Sequence, residues 1–243
     1  MKIRVTKKQI EWYKNELAKQ AVEASRYVLS KYDTSEPITT IKEKTINAIS
    51  EALEFYGNNA QITANKMFDY ILAGQGTDYI AEWYSDLIDM DFIINKVKYL
   101  LKDIAAGNYE GYNQRIRDYT ESLIHRTANA SQKRNAKKYG IRFALVPQSK
   151  EPCGFCYMLA SRGFDYSLTT HLKYKNAPRG LGHEHCRCLL LPSNDKDLKV
   201  YGYDEEKFKK YYEQARDMAG MRAEDIAKEL ERMGEEIGWD KMY

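Results

Sequence analysis

Apolar positions recur at steps of three and four over most of the first 139 residues, the period of helices with one buried face. Ile10, Tyr13, Leu17, Ala21, Ala24 and Val28 make the stripe of a first helix that starts at Thr6. The run Thr34-Ser35-Glu36-Pro37 ends it, because Pro37 cannot continue a helix and disfavours helical backbone before it. A second helix is predicted from Thr39 or Thr40, with Ile46, Ile49, Leu53, Tyr56, Ala60, Ala64, Met67 and Ile71 as its stripe. Gly57 inside it costs about 1 kcal/mol relative to alanine, so the helix is expected to continue with a kink there. Gly74-Gln75-Gly76 is a loop. A third helical region is predicted over 78–106 with a break near Asp89, and a fourth over 109–139, stopped by Gly140.

After Gly140 the period changes. Residues 141–146 are rich in strand formers and predict a short strand. Residues 157–160 read as a helical turn ended by Gly163, and 169–182 as a polar loop. A second strand is predicted over 186–191, with Cys186 and Cys188 on one face and Arg187 opposite. Helical periodicity returns over 204–237, with a break at Ala219-Gly220. The fold class is therefore mainly α. An elongated helical region (1–139) is followed by a small α+β module (140–196) and a C-terminal helical tail (197–243).

Composition narrows the function. The 243 residues carry Lys+Arg 38 against Asp+Glu 35, a net charge of +3, so no global field demands a nucleic-acid partner. The N-terminus has no apolar core of signal-peptide length and no membrane-length apolar run occurs, so no membrane partner is expected. Tyrosine is unusually abundant, 20 against 7 phenylalanines, and suits half-buried faces and interfaces. Charge is local. Between Glu121 and Glu151 there is no acid, while Lys133, Arg134, Lys137, Lys138 and Arg142 cluster near the end of the fourth helix. Cations complement a helix C-terminus, or the run contacts a phosphate backbone; both readings stand. The tail leans acidic, eleven Asp/Glu against seven Lys/Arg over 204–236, and is expected either to pack on the basic run or to serve as a partner-binding arm.

Candidate chemistry is confined to one stretch. All four cysteines lie there, Cys153 and Cys156 in PCGFC, Cys186 and Cys188 in GHEHCRC, together with His183 and His185. Two close pairs separated by a long loop have the ligand types and spacing of a structural Zn2+ site. Zinc would offset the small core of two strands and one helical turn, since such sites contribute about 10–16 kcal/mol in small metal-dependent modules. A thioredoxin-like reading of PCGFC lacks its βαβ context. A zinc-deaminase reading lacks a glutamate at the required offset upstream of the cysteines, because His125 is followed by Arg126 and Thr127. His183-Glu184-His185 is too tight for a metalloprotease helix. A closed structural site without a catalytic residue is the expectation, with a zinc-containing nucleic-acid-binding protein or a metal-dependent nuclease or hydrolase as alternatives.

The wording CGFCYMLASRGFDY followed by GHEHCRC resembles the Mu F-like minor capsid, or head morphogenesis, proteins of tailed bacteriophages. Ile141 to Pro192 carry the likeness, and the tract Ala160 to Gly163 looks closest to minor head proteins of phages of Gram-positive hosts. Cys153 and Cys156 match the family's first pair, and His183, Cys186 and Cys188 its second, with His185 as an alternative ligand. The resemblance implies a non-enzymatic virion protein that binds portal or major capsid protein and possibly double-stranded DNA. It further implies no small-molecule substrate, and a location at the capsid interior or portal vertex after assembly in the bacterial host cytoplasm.

Overall fold

The computed structural model describes residues 4–148, 151–165 and 187–242, and these are mainly helical. A two-residue strand β1 (Arg4–Val5) leads into α1 (Lys7–Leu29). The backbone N–H and hydroxyl of Thr6 both donate to Gln9 Oε1 at 2.7 Å, which fixes the start of α1 where the sequence places it. All six stripe residues of α1 are buried. Their partner is α5 (Tyr109–Lys138), the central helix of the described residues.

The second helix is continuous but changes its winding. Regular α2 (Ile38–Ala52) passes through a π-helical turn, Leu53–Gly57, into α3 (Asn58–Gly74). Its buried face runs Ile41, Thr45, Ala48 and Ala52, then Gly57, Ala60, Ala64, Met67 and Ile71. The step from Ala52 to Gly57 is five residues where an α-helix allows three or four. The π turn absorbs the extra residue and keeps both halves packed on α1. The expected stripe therefore holds at Ile49 and again from Ala60 on, while Ile46, Leu53 and Tyr56 are only half-buried.

The third helical region is shorter than expected. Residues 75–89 are not helical, and α4 (Met90–Ala105) begins at the break read near Asp89, whose side chain accepts from the N–H of Asp91 at 2.9 Å. The preceding segment is an irregular strap laid along α3 and α5. Gln61 both donates to the Tyr84 carbonyl (3.0 Å) and accepts from its N–H (2.7 Å). Asn65 donates to the Glu82 carbonyl, and Asp69 accepts from the Ala81 N–H. From α5, Asn135 accepts from the Glu82 N–H and donates to its carbonyl, and Tyr139 donates to the Ile80 carbonyl. These side chains supply the partners that a helix would have given the strap's backbone.

Strands β2 (Arg142–Val146) and β3 (Leu189–Ser193) pair antiparallel, with Ala144 opposite Leu191. Both faces are covered. Ala144, Val146, Leu189 and Leu191 join the main helical core, whereas Phe143, Leu145 and Leu190 join a second cluster with Phe68, Leu72, Cys156 and Cys188. The second strand thus starts at Leu189 rather than 186, and Cys188 lies just before it. The ladder ends at Val146 because Pro147 follows and has no N–H to donate.

Helix α6 (Gly154–Ala160) precedes Gly163, whose φ of +57° suits a stop. After β4 (Lys199–Val200), which pairs parallel with β1, come α7 (Glu205–Ala219), α8 (Ala223–Ile237) and α9 (Trp239–Met242). The expected break at Ala219-Gly220 separates α7 from α8. The tail packs on α6, with Tyr157, Met158, Ala160, Phe208, Ile226, Leu230 and Met242 in a third cluster. Among the described residues no helix is long and apolar enough to cross a membrane.

Candidate functional site

Cys153 is the N-cap of α6, and the Cys156 N–H points at its Sγ at 3.4 Å, which orients that sulfur. Cys156 and Cys188 are buried and Cys153 is half-buried, and all three belong to the cluster beneath the β2–β3 pair. Chain segments far apart in sequence therefore bring three of the four predicted thiols to one apolar cluster. Among the described residues no group of three or more His, Cys, Asp or Glu side chains is placed to hold a metal ion. His183, His185 and Cys186, the other predicted ligands, lie outside the described residues, as does the polar loop over 169–182.

Cys188 is held from behind. The buried side-chain amide of Asn129, on α5, donates to the Cys188 carbonyl and accepts from the Leu190 N–H, both at 2.9 Å. Arg187, on the other side of the chain, pairs with Glu121 at 2.8 Å, and Ser25 of α1 donates to the same carboxylate. In sequence Asn129 is one polar residue among many on this helix. Its signal was the density of Asn, Gln, Ser and Thr between Thr120 and Asn135, eight of which are buried side chains counting His125.

The first cysteine turn is held by the tail. A Cβ on Gly154 would stand 1.8 Å from the Ala227 carbonyl oxygen, so only glycine lets α8 approach. The Gly154 N–H donates to Glu231 Oε1 at 3.1 Å, Tyr157 donates to the Met242 carbonyl at 2.6 Å, and Tyr203 donates to the Ala160 carbonyl. Helix α6 thus turns Cys156 and Leu159 towards the strands, and Tyr157, Met158 and Ala160 towards α7–α9.

The basic run does not form one free surface. Arg134 pairs with Asp86, its guanidinium 4.5 Å from the Tyr84 ring centre, and Lys138 pairs with Glu82. Both acids belong to the strap. Lys133 lines a cavity of about 540 Å³ between α4 and α5 with Leu87, Phe92, Leu123 and Arg126. Burial, and then the charge of Lys137, pull its pKa below the ordinary lysine value. Lys137 and Arg142 are exposed.

A family model described as VG15 protein matches residues 4–215. The chain belongs to the VG15 protein family. This is a family of phage gene products. In this VG15-family protein the match runs from β1 into α7, so it takes in the central helix, the strap and both cysteine-bearing segments. No curated protein and no solved structure matches the chain.

Proposed function

We propose that this VG15-family protein is a structural, non-enzymatic minor head component that binds the portal or the inner capsid. Zn2+ would be held by four of Cys153, Cys156, His183, Cys186 and Cys188, with His185 as the alternative. Sulfur-rich donors suit zinc, and a closed four-ligand set would supply rigidity without a catalytic water. The observation that carries this reading is the meeting of both cysteine segments in one cluster, next to the seat of the C-terminal helices. The second and third clusters share only short elements, and a metal there would tie them into one joint. Lys137 and Arg142, both exposed, would contribute to contact with packaged double-stranded DNA.

The test is elemental analysis of the native protein beside a Cys153→Ser/Cys156→Ser variant. About one zinc per chain is expected in the first and none in the second, with co-purification on portal or capsid subunits lost in the variant. A native protein without zinc removes the joint. Zinc without any portal or capsid retention removes the head assignment.

A further inference from the structure

We infer that the cavity between α4 and α5 binds a small phosphate monoester with a flat apolar body, of the mononucleotide class, and that Arg126 and Lys133 take its phosphate. The inference goes beyond the zinc and portal readings and depends on neither.

The cavity, about 540 Å³, has the size and the mixture of small-molecule sites, apolar walls with a few placed polar groups. Leu87 and Leu123 supply aliphatic wall and Phe92 an aromatic one. The Phe92 ring is 37% exposed, so it keeps surface on which a base can stack. Arg126 and Lys133 stand about two turns apart on one face of α5, and both line the space.

Charge is layered with depth. No acid follows Glu121 along α5, so the helix that floors the cavity brings cations, an amide and apolar groups. Arg126 and Lys133 are half-buried. Among the described residues the acids of the lining come from the start of α4, Asp89 and Asp91, and both are exposed. The Asp89 carboxylate is turned to its own helix, where it accepts from the Asp91 N–H at 2.9 Å. Burial, and then the charge of Lys137, hold the Lys133 pKa below the ordinary lysine value. Burial followed by Arg115 and Arg126 does the same to Lys96 on α4. An anion set among crowded, half-buried cations offsets both burial and repulsion. A guanidinium has five N–H donors and an ammonium three, so each can take a ligand oxygen beside its contacts within the protein.

Two cations select phosphate over carboxylate. A phosphate monoester carries about −1.5 to −2 at pH 7, which matches the pair, and its oxygens suit the arginine fork. A bare phosphate ion would leave the apolar walls unfilled. Duplex DNA could enter only by turning a nucleotide out of its stack, at the cost of unstacking and unpairing.

The experiment titrates the intact protein by calorimetry with adenosine monophosphate (AMP) and, separately, with adenosine and with inorganic phosphate. Lys133→Gln removes one cation, Ala130→Phe fills the cavity from its floor, and Lys137→Gln is a control outside the lining. AMP is expected to bind saturably and more tightly than either fragment. Lys133→Gln should weaken it by about tenfold or more, the effect of losing a charge-assisted bond. Ala130→Phe should abolish binding, and Lys137→Gln should leave it nearly unchanged. Because filling a cavity can also unsettle a fold, Lys133 of the wild-type chain is followed directly: AMP should slow its acetylation by acetic anhydride while Lys137 reacts as before. The inference is overturned if AMP does not bind saturably, or if inorganic phosphate binds as tightly. It is overturned equally if both cavity variants bind AMP like wild type, or if AMP leaves Lys133 as reactive as before. Displacement of AMP by duplex DNA, lost in Lys133→Gln, would assign this lysine to a phosphate backbone instead.

Discussion

Asn129 sits on a helix and completes a strand. One amide side chain satisfies the carbonyl of Cys188 and the N–H of Leu190, two buried backbone groups at the start of β3. A leucine at this position would fill a similar volume but bond neither group. Asn129→Leu is therefore expected to lower stability by about 2–4 kcal/mol, since each orphaned buried group costs about 1–3 kcal/mol. Urea unfolding would show it, and a change below about 0.5 kcal/mol would mean that the two groups find other partners. Asn129→Asp keeps an acceptor for Leu190 but faces the Cys188 carbonyl with a buried carboxylate, so it should be no milder. Asn135 serves the strap in the same way, accepting from and donating to Glu82.

At the scale of elements, α6 is the narrowest joint in the chain. Seven residues carry one cluster on one side and the whole C-terminal helical unit on the other. Gly154 is where that unit comes closest, backbone to backbone, so a methyl group cannot be accommodated by rotating a side chain. Gly154→Ala should cost about 1–3 kcal/mol, as overpacking does, and the loss should be local. Hydrogen exchange is expected to quicken in α7, α8 and α9 while α1 and α5 keep their protection. Uniform quickening would show instead that the tail and the helical body unfold as one. The elements differ in how far sequence disclosed them, for definite physical reasons. The α1 stripe was legible because one face meets one partner and no residue breaks the period. The α2–α3 stripe was legible at Ile49 and again beyond the π turn but not across it, since one inserted residue shifts the phase and no local signal marks it. The strap was illegible because its partners lie on α3, on α5 and at the end of α5, up to 59 residues away in the chain, as with Ile80 and Tyr139. The cysteine turn was legible from its spacing, whereas its dependence on α8 was not, because Gly154 looks the same in sequence whether a turn or a neighbour demands it.

For the whole molecule, the abundance of tyrosine becomes a statement about alkaline stability. Tyr13, Tyr32, Tyr112, Tyr119 and Tyr157 each place a phenol in the packed interior, and burial raises the pKa of every one. Tyr112 is pushed up to about 12, even though its hydrogen bond with Thr45 opposes the shift. In the unfolded chain these groups titrate near 10. Above that pH the unfolded state gives up protons that the folded state retains, so rising pH favours unfolding. The contribution of these tyrosines is complete below pH 10 and is lost as the pH climbs through the folded values. The five sit on α1, the α1–α2 connection, α5 and α6, so ionisation strains the main core and the tail's seat together. The buried set should ionise only as the chain unfolds, between about pH 10 and 12, with phenolate absorbance from these five rising in step with loss of helical ellipticity. Tyr112→Phe removes the least shifted of the five and also its bond to Thr45, so it should lower stability at neutral pH while making the alkaline transition shallower. Ionisation of the buried five near pH 10 with the helices still intact would mean that the interior is wetter than this packing allows.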